Sequence, residues 1–173
     1  TGVGRGINGV AVPVGRVKTL AQCFNEAGYA TGYVGKWHLA TDRLAGIDYE
    51  QSAIPAERRG GYKDYWMAAD VLEFTSHGYN GYVYNADNER VPFMGYRADC
   101  INNFAIDFLH GRKEQVEPFF LFISQIEPHH QNDRRRYEGP DGPRAQFAAF
   151  QATGDLVGCS KACEQGPDTG NWG

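Results

Sequence analysis

The fold of this chain is decided by one stretch: Gly28-Tyr29-Ala30-Thr31-Gly32-Tyr33-Val34-Gly35-Lys36-Trp37-His38-Leu39. Residues 29–34 contain the aromatic and β-branched side chains that strands favour. If the extended backbone continues past Gly35, side chains alternate between faces, so Lys36 and His38 point one way and Trp37 the other, into the core. A cation and an imidazole at one strand end are suited to bind a tetrahedral oxyanion.

A helix is predicted immediately before this strand. Thr19 can cap it, with Gln22 three residues later as the capping-box partner. Gly28 suits the C′ position, where a left-handed backbone ends many helices. The helix carries an apolar stripe with helical spacing, formed by Leu20, Cys23, Phe24 and Ala27.

The rest of the chain supplies further elements of an α/β fold. Residues 63–72 have a moderate helical pattern, and residues 81–93 are typical of a β-hairpin whose Pro92 favours an edge position. An amphipathic helix is predicted over 97–110. Residues 118–125 are almost continuously apolar, which predicts a strand buried on both faces. Helix followed by buried strand, twice, indicates α/β layers.

Composition limits the function classes. The chain has 173 residues, 42% of them hydrophobic, and a formal net charge of −4. One domain is expected, and no basic patch favours nucleic acid as a partner. No apolar run approaches the roughly 18 residues of a membrane span, and no signal peptide is recognisable, so the compartment stays open. Cys159 and Cys163 are too weakly patterned to predict a zinc site.

Polar side chains follow both predicted buried strands. Lys36 and His38 follow the first, and His129 and His130 follow the second, just after Pro128. In open α/β sheets, ligands bind outside the carboxyl ends of the strands. The sequence therefore predicts that these side chains converge on one pocket, although strand ends are also polar simply because they meet water.

The quoted stretch resembles the sulfatase family, because it fits the second of that family's two signature patterns at every defined position. The resemblance implies an α/β sandwich of the alkaline phosphatase type, with a mostly parallel sheet and flanking helices. It also implies hydrolysis of sulfate esters by a formylglycine nucleophile with a divalent metal, usually Ca²⁺. It covers residues 1–158, a partial catalytic domain, and leaves residues 159–173 as an irregular tail.

The resemblance also implies roles for individual residues. Lys36 and His38 are expected to contact the nucleophile and the sulfate group, and His129 to contact the ester near the leaving oxygen. His130 competes with His129 and is kept as a substrate-binding residue. The residue types suit this chemistry, since a lysine neutralises anionic oxygens and a histidine can supply a proton to an alkoxide.

The chain also departs from the family pattern. No cysteine or serine lies in a Cys/Ser-x-Pro-x-Arg motif, from which formylglycine arises in the family. The family's metal-binding Asp pair has no counterpart before Lys36. We therefore expect an internal fragment that binds no metal and is catalytically silent alone. Uncovered sheet edges would favour self-association.

Three functional hypotheses follow. The first is a sulfatase-type hydrolase acting on a sulfate-ester small molecule or a sulfated sugar. The second is a non-catalytic module that binds anions or partners. The third is a phosphate or phosphonate ester hydrolase of the same superfamily, which only the nucleophile segment would distinguish. The natural substrate and the oligomeric state stay open.

Overall fold

The computed structural model describes residues 18–129 and, beyond them, Gly139, Pro140, Gly142 and Gln146. The chain divides into two compact units, Thr1–Glu127 and Pro128–Gly173. Nearly all described residues belong to the first unit. The predicted boundary at residue 158 and the tail 159–173 lie outside the described residues and stay a prediction.

The described part of the first unit alternates helices and strands. No helix in this described part is long and apolar enough to span a membrane. Two short 3₁₀ helices, Arg43–Ala45 and Ala56–Arg58, lie in the long connection after the first strand. The main elements are α1 (Leu20–Glu26), β1 (Ala30–Lys36), β2 (Tyr65–Ala69), α2 (Leu72–Thr75), β3 (Tyr79–Tyr84), β4 (Arg90–Tyr96), α3 (Arg97–Gly111) and β5 (Phe119–Ser124).

The five strands form one sheet in the order β4-β3-β2-β1-β5. β1 pairs in parallel with β2 on one side and with β5 on the other. β3 and β4 extend the sheet as an antiparallel hairpin. The predicted α/β class is confirmed, with a sheet that is mostly but not wholly parallel. Because β1, β2 and β5 run the same way, their carboxyl ends meet at one edge of the sheet.

Helix α1 confirms the predicted capping box. The Thr19 hydroxyl accepts from the Gln22 N–H, and the Gln22 side chain accepts from the Thr19 N–H. Gly28 takes the left-handed backbone that ends the helix, with φ of +83°. The predicted apolar stripe is wrong at Leu20, Cys23 and Ala27, which are exposed. The helix instead packs through Ala21 and through Phe24, whose ring stacks on Phe120.

Two hydrophobic clusters flank the sheet. Successive strand residues such as Tyr33 and Val34 fall in different clusters, as side-chain alternation requires. Trp37 belongs to the first cluster and is 7% exposed, with its ring edge-on to Tyr33 at 4.8 Å between centroids. The expectation that Trp37 packs in the core is therefore confirmed.

Gly35 allows β1 to approach β5 closely. Its φ is +107°, a backbone conformation that side chains rarely adopt. A Cβ here would overlap the carbonyl oxygen of Ser124 and lie 2.9 Å from its carbonyl carbon. Glycine is thus required directly before Lys36, where the site begins.

The prediction of a helix over residues 63–72 is wrong. Residues 65–69 form β2, in parallel register with β1. Trp66 and Ala68 belong to one cluster, whereas Tyr65 and Met67 pack against the other. The true period is therefore two, which the short apolar run does not distinguish from a helical pattern.

Strand β5 is not buried on both faces as predicted. It lies at the edge of the described sheet, with β1 on one side only. Phe119, Phe122 and Ile123 are each more than 40% exposed for that reason. At the opposite edge lies β4, which carries Pro92, so the predicted edge position of the hairpin's second strand is confirmed.

Candidate functional site

Lys36 is the last residue of β1, and its ammonium group forms an ion pair with Glu73 of α2. Both side chains are largely buried, at 12% and 3% exposure. The second carboxylate oxygen of Glu73, Oε2, is buried without a hydrogen-bond partner in the described part of the chain. A lysine ammonium has three N–H donors. One points to Glu73, so the pair orients Lys36 while leaving it donors for an anion.

His38 does not continue the strand. Its φ is +54°, in the left-handed region, so the extended geometry on which the predicted alternation depended ends at Lys36. The turn is fixed from the neighbouring strand. The backbone N–H of Trp37 donates to the Ala69 carbonyl at 2.9 Å, and the backbone N–H of His38 donates to the Asp70 carbonyl at 2.8 Å.

The Asp70 carboxylate anchors the residues that follow His38. It accepts three successive backbone N–H groups: Leu39 and Ala40 donate to Oδ1 at 3.0 and 2.9 Å, and Thr41 donates to Oδ2 at 2.8 Å. Asp70 is fully buried. Consecutive amides of a left-handed turn form a concavity for an anion, and here the anion is the chain's own carboxylate.

The electrostatics of the site lower the pKa of His38 from its ordinary value of 6.5. Burial is the largest cause, and the ammonium of Lys36 adds to it. The carboxylates of Glu73, Asp70 and Glu50 act in the opposite direction. His38 is therefore held mostly neutral near pH 7, a state suited to accepting a proton or a hydrogen bond.

The carboxyl end of β5 adds a second buried charge pair. Arg97, the first residue of α3, donates from Nε to the Glu127 carboxylate at 2.7 Å and from Nη1 to the Ser76 hydroxyl at 3.2 Å. The carboxyl ends of all three parallel strands are thus followed by charged side chains, as expected for a ligand-binding edge.

The two histidines predicted to complete the site are not placed relative to it. His129 is an exposed residue of the second unit, and His130 lies outside the described residues. Their convergence with Lys36 and His38 stays a prediction.

Metal binding finds no support in the part of the chain that the structure describes. These residues include no group of three or more His, Cys, Asp or Glu side chains that could hold a metal ion. Ca²⁺ needs several oxygen ligands that meet at one point, and the described residues do not bring such a set together.

Sequence reasoning missed Asp70, which accepts the amides after His38, and Glu73, which pairs with Lys36. Both follow β2, so a strand assignment there would have placed them at the same sheet edge as Lys36. The helical interpretation of residues 63–72 concealed that signal.

The family's sequence model, described as Sulfatase, matches residues 9–156, which is most of the chain. The chain belongs to the sulfatase family. The signature stretch that presents Lys36 and His38 lies within the matched region.

Several curated proteins are similar to this sulfatase-family chain. A Ulvan-active sulfatase of Formosa agariphila is 32% identical over 130 residues, which cover 73% of this chain and 23% of that protein. The uncharacterized sulfatase YidJ of Escherichia coli is 34% identical over 133 residues, covering 71% and 25%. An N-acetylglucosamine-6-O-sulfatase of Bacteroides thetaiotaomicron is 29% identical, covering 66% and 17%. The chain spans about a quarter of the length of the first two relatives.

Solved structures of sulfatases share the fold. A protein of Bacteroides fragilis described as the sulfatase yidJ superposes with a TM-score of 0.62 at 22% identity, covering 78% of this chain and 30% of that one. A structure from Bacteroides thetaiotaomicron, described in connection with the metabolism of multiple glycosaminoglycans, gives a TM-score of 0.57 at 17% identity, covering 82% of this chain and 31% of that one. At these identities the likeness shows the fold alone.

Proposed function

We propose that this chain supplies part of the active site of a sulfatase that hydrolyses sulfate esters of small molecules or sugars. The observation that carries the proposal is the buried, oriented ammonium of Lys36 beside His38 at the carboxyl end of β1. In water-poor surroundings a fixed positive charge stabilises developing negative charge far better than in bulk water. The names of two relatives, a Ulvan-active sulfatase and an N-acetylglucosamine-6-O-sulfatase, support a sulfated sugar as substrate.

In this proposal each residue has a separate task. Lys36 neutralises the non-bridging oxygens of the sulfate group. His38, neutral near pH 7, accepts a hydrogen bond or a proton at the nucleophile, and His129 acts near the leaving oxygen, with His130 as the alternative. Formylglycine as nucleophile and Ca²⁺ as cofactor are expected from the family resemblance, with ligands outside the described residues.

The role of Lys36 is tested in the longer protein that contains this chain. Lys36→Ala should lower kcat/KM for an aryl sulfate by about 100-fold or more, the effect of removing a group that stabilises transition-state charge. Lys18→Ala is the matched control, because Lys18 pairs with Glu26 on the exposed side of α1. Equal activity of the two variants would contradict the proposal.

We also propose that the 173-residue chain alone is inactive, because its sequence has no Cys/Ser-x-Pro-x-Arg motif. The chain with Ca²⁺ should not hydrolyse p-nitrophenyl sulfate above the buffer rate. Turnover that Lys36→Ala abolishes would refute this. Sulfate binding that Lys36→Ala abolishes, with no turnover by the longer protein, would favour the non-catalytic anion-binding module instead.

The phosphate or phosphonate alternative depends on the nucleophile. A Cys or Ser followed by Pro and Arg, encoded upstream of Thr1, would favour sulfate esters. A Thr or an unmodified Ser there would favour phosphate esters.

Self-association of the isolated chain is a further proposal. It is supported by the apolar, half-exposed strand β5, which lies at the edge of the sheet formed by the described residues, since an unpaired sheet edge can template pairing with another chain. Replacing Phe122 and Ile123 by lysine should convert dimers to monomers in sedimentation velocity. Met94→Lys, at the exposed opposite edge of the sheet, is the control. A wild-type chain that stays monomeric at high concentration would refute the proposal.

A further inference from the structure

We infer that Asp70 is a positioning residue for the site: its buried carboxylate holds the turn after β1 in the one conformation that presents His38 beside Lys36. The inference rests on the proposed role of His38 in sulfate ester hydrolysis and extends it to a residue on a different strand. Asp70 acts through the backbone and needs no contact with substrate.

The backbone conformation of His38 needs support from its surroundings. A residue other than glycine rarely adopts a positive φ, because the Cβ atom is sterically disfavoured there, yet His38 has φ of +54°. Such a conformation persists only where the surroundings over-determine it. The two carbonyl contacts, from Trp37 to Ala69 and from His38 to Asp70, set the entry into the turn.

The Asp70 carboxylate holds the backbone that follows His38. After His38 the amides of Leu39, Ala40 and Thr41 all point at the Asp70 carboxylate, within 3.0 Å. Hydrogen bonds to an ionised acceptor are about twice as strong as neutral ones. Three of them on one buried group fix the direction of the chain on the far side of His38.

Asp70 is placed by the sheet itself. Asp70 directly follows β2, which runs parallel to β1 with Lys36 opposite Ala69. One residue therefore ties the turn to the sheet at the level of Lys36. An asparagine could keep one acceptor oxygen but would place an N–H₂ group against a backbone N–H, so Asp70→Asn should release part of the turn.

The direction in which the pKa of His38 changes on Asp70→Asn distinguishes a positioning role of Asp70 from a purely electrostatic one. Burial is the main reason why the pKa of His38 is low, and the Asp70 charge opposes it. If Asp70 holds the turn, Asp70→Asn frees the ring into water and raises the pKa of His38 toward 6.5. If Asp70 acts only as a nearby charge, its removal lowers that pKa further. Lys36, Glu50 and Glu73, which also act on the ring, are unchanged in both cases.

The experiment is an NMR pH titration of the His38 ring in the wild-type chain, Asp70→Asn and Asp64→Asn. Asp64 is the matched control, because it accepts the Thr31 N–H at 2.8 Å near the opposite end of β1. We expect a raised pKa of His38, and Cα and Cβ shifts of His38 that leave the left-handed range, in Asp70→Asn only. A lowered or unchanged pKa in a folded Asp70→Asn chain would overturn the inference.

Hydrogen exchange in the wild-type chain keeps the inference testable if Asp70→Asn does not fold. The amides of residues 39–41 should exchange at least about tenfold more slowly than those of Asp87 and Asn88, which are exposed and donate to the neutral side-chain and backbone oxygens of Asn85, given the strength of bonds to a charged acceptor. Equal exchange rates would overturn the inference. Neither experiment involves sulfate, so its outcome is distinguishable from failure of the proposed function, which the Lys36→Ala kinetics decide.

Discussion

Replacing Gly35 by alanine tests how closely β1 approaches β5 directly before Lys36. Gly35 has φ of +107°, and an added Cβ would meet the backbone of Ser124 on β5. Backbone atoms of a paired strand cannot move aside as a flexible side chain could. The substitution must therefore either push β5 away from β1 or force residue 35 into another conformation, and either change displaces Lys36.

The expected cost follows from two contributions. Holding a residue other than glycine in a sparsely populated backbone region costs about 1–3 kcal/mol. Forcing an extra methyl group into a packed site costs about 1–3 kcal/mol more. Together they predict a loss of about 2–6 kcal/mol from a free energy of unfolding that is typically only about 5–15 kcal/mol.

Urea denaturation of Gly35→Ala and Gly28→Ala measures the difference directly, through the shift in midpoint at a constant slope. Gly28 is the matched control because its φ is also positive, at +83°, while nothing lies within 4 Å of its added Cβ. It should lose only the backbone contribution, about 1–2 kcal/mol. If Gly35→Ala is no more destabilising than Gly28→Ala, the close approach of β1 and β5 is wrong.

Three further predictions concern charged groups near the same sheet edge. Glu73→Gln should cost about 3–5 kcal/mol in urea denaturation, because it leaves the ammonium of Lys36 buried without its counter-ion. Arg97→Met should be destabilising by a similar amount, since it strands the carboxylate of Glu127, and Arg97→Met combined with Glu127→Leu should recover much of the loss. Because the folded chain has a lowered pKa at His38, it disfavours the protonated ring. Stability should therefore fall as the pH drops from about 6.5 through the lowered pKa and then level off, and His38→Asn should remove this dependence while tolerating the left-handed backbone.

Local signals in the sequence predicted the elements whose cause is local. The capping box of Thr19 and Gln22, the Gly28 stop and the hairpin edge marked by Pro92 each involve residues a few positions apart. The turn after β1 is different. Asp70 lies 29 to 31 residues from the amides that it accepts, and Glu73 lies 37 residues from Lys36.

The errors have the same physical origin. Whether residues 65–69 form a strand depends on β1 lying alongside, which a period in a short apolar run does not reveal. The exposure of Phe122 depends on whether a strand covers the far side of β5, and an apolar run carries no information about its neighbours. The family signature located Lys36 and His38 correctly at a strand end, yet it did not indicate the left-handed backbone of His38.

The occupied carboxylate of Asp70 restricts how this end of the sheet can recognise charge. In the turn after β1, the backbone N–H groups of residues 39–41 already donate to the Asp70 carboxylate. Those amides therefore cannot form the kind of backbone cradle that many enzymes use for oxyanions. Recognition at this turn falls to side chains, whose ionisation depends on pH and whose attraction for a charged ligand is screened by salt.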